Sequence, residues 1–325
     1  RLTGSVLEEG LRGAGGYLLN GQGDRFMVRY DPQRMERSTR DVVSRSSFME
    51  IQAGRGSPNS GVWIDVSHLG AEVVEQKFPG MVERCRSVGF DLAREPVEVS
   101  PTAHFHMGGI AIDAECRSNL EGLFAAGEDA SGVHGANRLG GNGVAESIVF
   151  GARAGDVIAA YVRGRDLPRL DASEAELAAN RALAPLRRDR GEDAYELRQR
   201  LGQLTWDQVG LVRHGEALRD ALVQLDEMYA RADEARVNPS RRLNLEWQAA
   251  LDVLNLIEVA RLVARSALLR DESRGSHYRA DFPQSDNDRW LRNIYLTRQG
   301  DQVQEVTEPV KLSRMIPQQL RAAVH

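Results

Sequence analysis

The stretch that most constrains this chain lies between Gly122 and Ala154. A short apolar run, Gly122-Leu123-Phe124-Ala125-Ala126-Gly127, ends in Glu128. The loop HGANRLGGNG follows at 134–143, and a helix-like run extends from Val144 to Arg163. The first piece reads as a buried strand ending in an acid. Glycines at 140, 141 and 143 leave the backbone bare, so a flat ligand can approach it closely. The helix that follows offers unpaired N–H groups and the positive end of its dipole. Glu128 can aim at a ribityl or ribose hydroxyl. Negative charge developing near N1 and O2 of a reduced flavin is stabilised at the helix start. A generic Gly-rich turn is the bland alternative.

Composition removes several classes. The chain has 325 residues and a formal charge of −5, with 42% hydrophobic residues. That length suggests about two domains in an ordinary soluble composition. There is no run of five or six like charges, so nucleic acid is not an expected partner. No apolar stretch approaches the ~18–20 residues that span a bilayer. Cys85 and Cys116 form neither a disulfide framework nor a zinc ligand set and fit a reducing compartment. The sequence begins at Arg1, with no Met and no signal peptide. The numbering is therefore expected to start inside a longer polypeptide.

Four segments are expected. Residues 1–100 mix strands, turns and short helices: Tyr17-Leu18-Leu19 and Val62 to Val66 are strand-like, and Asp41 to Gln52 has helical spacing. Gly21 and Gly23 mark a turn before Arg25-Phe26-Met27-Val28. Residues 101–165 carry the Gly-rich chemistry. Residues 166–275 are helical, with Ser173 and Glu176 as a capping-box pattern. In that segment Leu218, Leu222, Leu225 and Tyr229 share one helix face. A second long helix carries Leu251, Leu254, Val259, Leu262 and Leu269. Residues 276–325 suggest a hairpin, Ile294 to Thr297 and Val303 to Val306, around Gly300-Asp301.

A second chemical signal is a set of cations far apart in sequence: Arg12, Arg40, His104 and Arg138. Each lies in a Gly- or Pro-marked stretch where loops present functional groups. Arginine clamps a carboxylate through two parallel hydrogen bonds, and an imidazole donates another. Two such anchors suit a small dicarboxylate. The alternative is that each arginine is a salt-bridged surface residue. His104 and His106, two apart in a strand-like segment, point to opposite faces and so take different roles. A His104–His134 metal pair lacks a third ligand signature, and no metal site is expected.

At these residues the sequence resembles the succinate dehydrogenase/fumarate reductase flavoprotein family, whose superfamily includes L-aspartate oxidase. The motifs are LEEGLRGAGGYLLN at 7–20, RDVVSR at 40–45, PTAHFHMGGI at 101–110, GLFAAGE at 122–128 and HGANRLGGNG at 134–143. ESRGSH at 272–277 and DFP at 281–283 complete the series in family order. The resemblance implies an α+β fold. It comprises part of a substrate-capping domain at 1–100 and the returning half of an FAD-binding domain at 101–165. A helical bundle at 166–275 and a small C-terminal extension at 276–325 follow.

The resemblance also implies roles. Arg40 is the arginine that passes a proton to or from substrate, with Glu9 and Arg12 as its relay partners. His104 and Arg138 hold the substrate carboxylates. Glu128 and the backbone of Asn142, Gly143 and Val144 touch FAD. Backbone carbonyls around Met107 and Glu128 hold a monovalent cation. Succinate and fumarate are the implied substrates. An iron–sulfur subunit is the implied partner. The implied location is cytoplasmic, or peripheral on the inner membrane face through partner subunits.

Two departures stand out. Glu8 occupies a position where the family usually has Thr or Ser. The N-terminal GxGxxG strand and loop is missing from the sequence, so this stretch alone is expected to hold FAD poorly and to need an N-terminal FAD-binding segment. An L-aspartate oxidase-like activity and a non-catalytic assembly fragment are the rival readings.

Overall fold

In residues 6–100, short runs of apolar, aromatic and β-branched residues form the strands. Tyr17–Leu19 is strand β1, and a four-residue helix, α1, precedes it at Gly10–Gly13. After the turn at Gly21 and Gly23 come the short helix α2 (Met27–Tyr30) and helix α3 (Arg40–Glu50). Strand β2 (Val62–Asp65), helices α4 (Ala71–Lys77) and α5 (Pro79–Arg86), and strand β3 (Val97–Val99) follow. Pro79 opens α5, where its fixed φ and missing N–H cost nothing. The strands form one antiparallel sheet in the order β1-β2-β3, with Leu18 opposite Ile64 and Val62 opposite Val99. Val62 and Ile64, two apart, both face a core shared with Leu11, Leu18, Phe26, Met27 and Val74. After the turn, Met27 and Val28 enter α2.

The computed structural model describes residues 6–167, 169–300 and 302–312. The chain divides into two compact units between His106 and Met107. The second unit opens with irregular chain to residue 141 and then forms helix α6, Asn142–Val162. Helices α7 (Ala172–Arg187), α8 (Ala194–Leu204), α9 (Gly215–Asp233) and α10 (Leu245–Leu269) build the bundle. A short helix α11 (Asn287–Trp290) leads to strands β4 (Arg292–Gln299) and β5 (Gln302–Pro309), an antiparallel hairpin. Asp301, at the tip of the expected turn, and residues 313–325 lie outside the described residues.

Leu197, Leu201, Leu218, Leu225, Val253 and Ile257 form the bundle core. The stripe expected on α10 is displaced. Its buried residues are Ala249, Ala250, Val253, Ile257, Ala264 and Ala267, while Val259 is exposed. Small alanines set the close approach here, and a count of bulky leucines misses them. The N-cap of α7 is Asp171, accepting from Ser173 N at 2.8 Å, so Ser173 lies inside the helix.

The run Gly122–Glu128 is not a regular strand. It forms one isolated bridge, Phe124 with Arg117, and Ala125 N donates to Cys116 O at 3.0 Å. A strand exists only through a ladder, and the described neighbours supply a single rung. Residues 100–109 are likewise irregular, so the face alternation expected for His104 and His106 does not apply.

Candidate active site

The first unit joins three of the expected residues. Arg12 lies on α1 and is buried. Its Nη1 donates to the carbonyls of Glu36 and of Ser38, the latter at 3.2 Å, which fixes the guanidinium against the chain leading into α3. Arg12 Nη2 donates to Glu9 Oε1 at 3.2 Å, and Arg40 Nε, at the first residue of α3, donates to Glu9 Oε2 at 2.6 Å. One carboxylate therefore spans two guanidinium groups. Burial pulls the Arg12 pKa below the usual arginine range. Glu9 works against that shift, and the Arg40 charge adds to it. Arg40 and Glu9 are about half exposed within the unit, at 47% and 46% of their side chains, so they remain reachable.

Two buried carboxylates that the sequence did not single out hold this frame. Glu36 is 3% exposed and takes a bidentate pair from Arg25, at 2.7 and 2.6 Å, plus the amide of Leu18 at 3.3 Å. Burial pushes its pKa up, but the Arg25 hydrogen bonds win and hold it below the usual range. Glu50, at the end of α3, is fully buried. It accepts from Arg55 at 2.9 and 2.8 Å, from Arg29 and Tyr30 at 2.8 Å, and from Asn20 at 3.0 Å. Burial opposes its ionisation, and these donors overcome it, bringing its pKa to about 2. Glu36 thus braces the segment whose carbonyls hold Arg12, and Glu50 ties α3 to the turn after β1. Neither stood out locally, because most of their partners lie 11 to 30 residues away and only Arg55, five residues from Glu50, is near.

Glu8 is exposed, and its carboxylate lies against Gly10 at the start of α1. His104 is exposed in the irregular segment and is not brought into the Glu9–Arg12–Arg40 group by any hydrogen bond among the described residues.

In the second unit, Glu128 is exposed in a turn beside α6. A Cβ built on Gly127 would meet Ser147 Oγ at 3.3 Å, so the turn lies against the first turns of that helix. Asn142, Gly143 and Val144 form the beginning of α6. Its N-cap is Gly141, in the left-handed region at φ 80, with no side-chain cap. The caps of α7, α8, α9 and α10 are side chains of Asp171, Asp193, His214 and Asn244. The 21-residue α6 therefore starts with no side-chain cap and no acid in its first turn, although the Asn142 amide donates to the Leu139 carbonyl at 3.3 Å; its dipole points at the loop. That donor set, with Glu128 beside it, fits the isoalloxazine and ribityl part of FAD.

The loop before α6 is held at its start. His134 Nε2 lies 2.6 Å from Glu146 Oε2, and Glu146 is buried on α6. Arg138 is half-buried in the middle of the loop and donates to the Leu139 carbonyl at 3.2 Å. Around Met107 the chain meets the Glu128 turn: Ile110 N donates to Asp129 O at 2.8 Å, and Ser131 N donates to Ile110 O at 2.9 Å.

Residues 2–144 match the family model described as an FAD binding domain, and residues 198–323 match that of the fumarate reductase flavoprotein C-term. An uncharacterised FAD-dependent oxidoreductase of Methanocaldococcus jannaschii is 45% identical over 294 residues, 90% of this chain and 53% of that protein. A fumarate reductase (CoM/CoB) subunit of Methanothermobacter marburgensis is 44% identical over 295 residues, 91% of this chain and 53% of that protein. The solved quinol-fumarate reductase with menaquinol molecules is 31% identical. It aligns with a TM-score of 0.87 over 97% of this chain and 58% of that one. The chain thus spans about half the length of the curated relatives it matches. With both family models in sequence order and an uncapped α6 suited to a flavin, the chain belongs to the succinate dehydrogenase/fumarate reductase family of FAD-dependent oxidoreductases.

Proposed function

We propose that the protein interconverts succinate and fumarate, with Arg40 as the proton-transferring residue. The observation that carries this reading is the Glu9 carboxylate, which spans Arg40 and the buried Arg12. FAD, when bound, supplies hydride exchange with one of the two central carbons of the dicarboxylate. Glu128 and the backbone around Asn142, Gly143 and Val144 would hold it, and the start of α6 would offset negative charge on the flavin.

Arg40 exchanges a proton with the neighbouring carbon. A free guanidinium is a poor acid near neutral pH, so the proton needs both a push and an exit. The Arg12 cation, fixed by two carbonyls, disfavours a second full charge nearby. Glu9 accepts or returns the proton through the 2.6 Å contact. His104 and Arg138 hold the substrate carboxylates and stabilise charge that builds on one of them in the transition state. Glu8, exposed and directed along α1, stays off the dianion. The interlocked turns at Ile110 and Asp129 bring the Met107 and Glu128 chain segments into one place, which suits backbone carbonyl ligation of a monovalent cation. An iron–sulfur subunit is the proposed electron partner. The proposed location is cytoplasmic, or on the inner membrane face through partner subunits. Among the described residues no helix is long and apolar enough to cross a membrane.

Arg40→Lys in the complete FAD-loaded protein tests the central role. Lysine keeps the charge and loses the planar fork. Turnover falls by several orders of magnitude, roughly 10³-fold or more, while KM changes little, because the loss is specific to the transition state. Flavin reduction by an artificial donor survives. A raised KM with modest loss of turnover would make Arg40 an anchor and move the proton donor elsewhere, with Arg12 the first candidate.

A further inference from the structure

We propose that the turn Arg274–His277 sets the position of Arg138, with Gly275 and Ser276 as positioning residues acting through the Ala136 carbonyl. The inference rests on the reading of Arg138 as a carboxylate ligand.

The turn is adjacent to the loop that carries Arg138, although about 140 residues separate them. Ser276 donates twice to the Ala136 carbonyl, from its amide at 3.0 Å and from its hydroxyl at 3.0 Å. Gly275 is pressed against the same peptide. A Cβ there would collide with the Ala136 oxygen and stand 2.7 Å from its carbonyl carbon, and the φ of +58 already disfavours any other residue. Ala136 is two residues from Arg138, so a shift of its peptide moves the guanidinium directly.

The turn itself is rigid. Arg274 N donates to His277 O at 2.8 Å, and His277 N returns a bond to Arg274 O at 3.0 Å. Arg274 forks onto Glu272 at 2.8 and 2.9 Å; Glu272 is fully buried and also accepts from Arg270 at 2.7 Å and from the Asp286 amide at 2.7 Å. His277 closes the frame. Arg213 Nη1 lies 2.7 Å from its Nδ1 and can only donate, so Nδ1 accepts and the protonated Nε2 donates to the Arg270 carbonyl at 3.2 Å. This network holds the turn in place, and through Ser276 it delivers two hydrogen bonds to the Ala136 carbonyl. With His134 tied to Glu146 of α6, the chain is fixed at 134 and 136, just before Arg138. A site that must grip a carboxylate in one orientation requires that rigidity.

The test uses the complete FAD-loaded protein and malonate, a non-reacting dicarboxylate, with affinity read from its perturbation of flavin absorption. Ser276→Ala keeps the amide bond and loses the hydroxyl bond, so the malonate Kd rises on the order of three- to tenfold, with Tm and the ligand-free flavin spectrum unchanged. Ser276→Thr restores the hydroxyl and brings affinity back. Gly275→Ala displaces Ala136 and weakens binding more, on the order of 10²-fold. An unchanged Kd in Ser276→Ala, a failure of Ser276→Thr to rescue, or a loss that tracks a fall in Tm overturns the inference. Arg138→Lys separates the two levels. If it weakens malonate binding and Ser276→Ala does not, only the positioning role is wrong. If Arg138→Lys also leaves Kd unchanged, the carboxylate-ligand reading falls first and takes this inference with it.

Discussion

Glu9 carries more of the proposed chemistry than its exposure suggests, because each of its oxygens engages a different arginine. Glu9→Gln keeps the shape and one acceptor oxygen but cannot carry the relayed proton. Turnover is expected to fall by about 10²–10³-fold, with KM within a few-fold, in steady-state assays with fumarate. Unchanged turnover would remove Glu9 from the relay. Glu8 gives the opposite expectation. Two carboxylate charges 4 Å apart cost about 4 kcal/mol at an effective dielectric of 20, so an exposed Glu8 turned toward Gly10 is expected to lie clear of substrate. Glu8→Thr then leaves the KM for succinate or fumarate within a few-fold; a large gain in dicarboxylate affinity would mean a different natural substrate. The family motifs brought Glu9, Arg12 and Arg40 into view at the sequence level. Glu36, Glu50 and Glu272 stayed hidden: Glu36 pairs with Arg25 eleven residues away, and the nearer arginines of Glu50 and Glu272 give no sign in sequence that the acid is buried.

The elements legible in sequence were those with strong periodicity: β1, β2, α3, α6, α9 and the β4–β5 hairpin. Besides the His104 and His106 alternation, three element readings failed for physical reasons. Gly122–Glu128 has strand composition but only one rung of ladder. The α10 stripe was misplaced because alanines, not leucines, make its close packing. The cap of α7 shifted to Asp171, whose carboxylate outcompetes the Ser173 pattern as an acceptor. At this scale Glu50 makes a pH prediction. Its folded pKa of about 2 lies below the unfolded glutamate value, so its stabilisation is fully present above pH ~4.3 and is lost as pH falls through ~2. A shift of that size corresponds to about 3 kcal/mol. Glu50→Gln should be destabilised by roughly that amount at pH 7, with the gap to wild type closing as the pH drops toward 2. Urea unfolding across that range checks it, and a pH-independent gap would show that the Glu50 charge contributes nothing.

Taken as a whole molecule, the chain joins two kinds of surface chemistry, each legible within its own unit. The first unit holds a carboxylate between two guanidinium groups, on α1 and at the start of α3, braced by buried acids. The second holds a helix start without a side-chain cap, a carboxylate turn and an arginine loop pinned at His134 and Ala136. Sequence order alone linked these parts, since the motifs run in the order of a flavin-dependent dicarboxylate enzyme. Substrate choice is not legible in the same way, because an amino-acid oxidase of the same superfamily would share most of these groups. The most direct measurement is turnover by the complete FAD-loaded protein with succinate and an artificial electron acceptor, with fumarate and an artificial donor, and with L-aspartate. Succinate or fumarate turnover that malonate inhibits, with none for L-aspartate, is the predicted result; L-aspartate oxidation without succinate or fumarate turnover would contradict it.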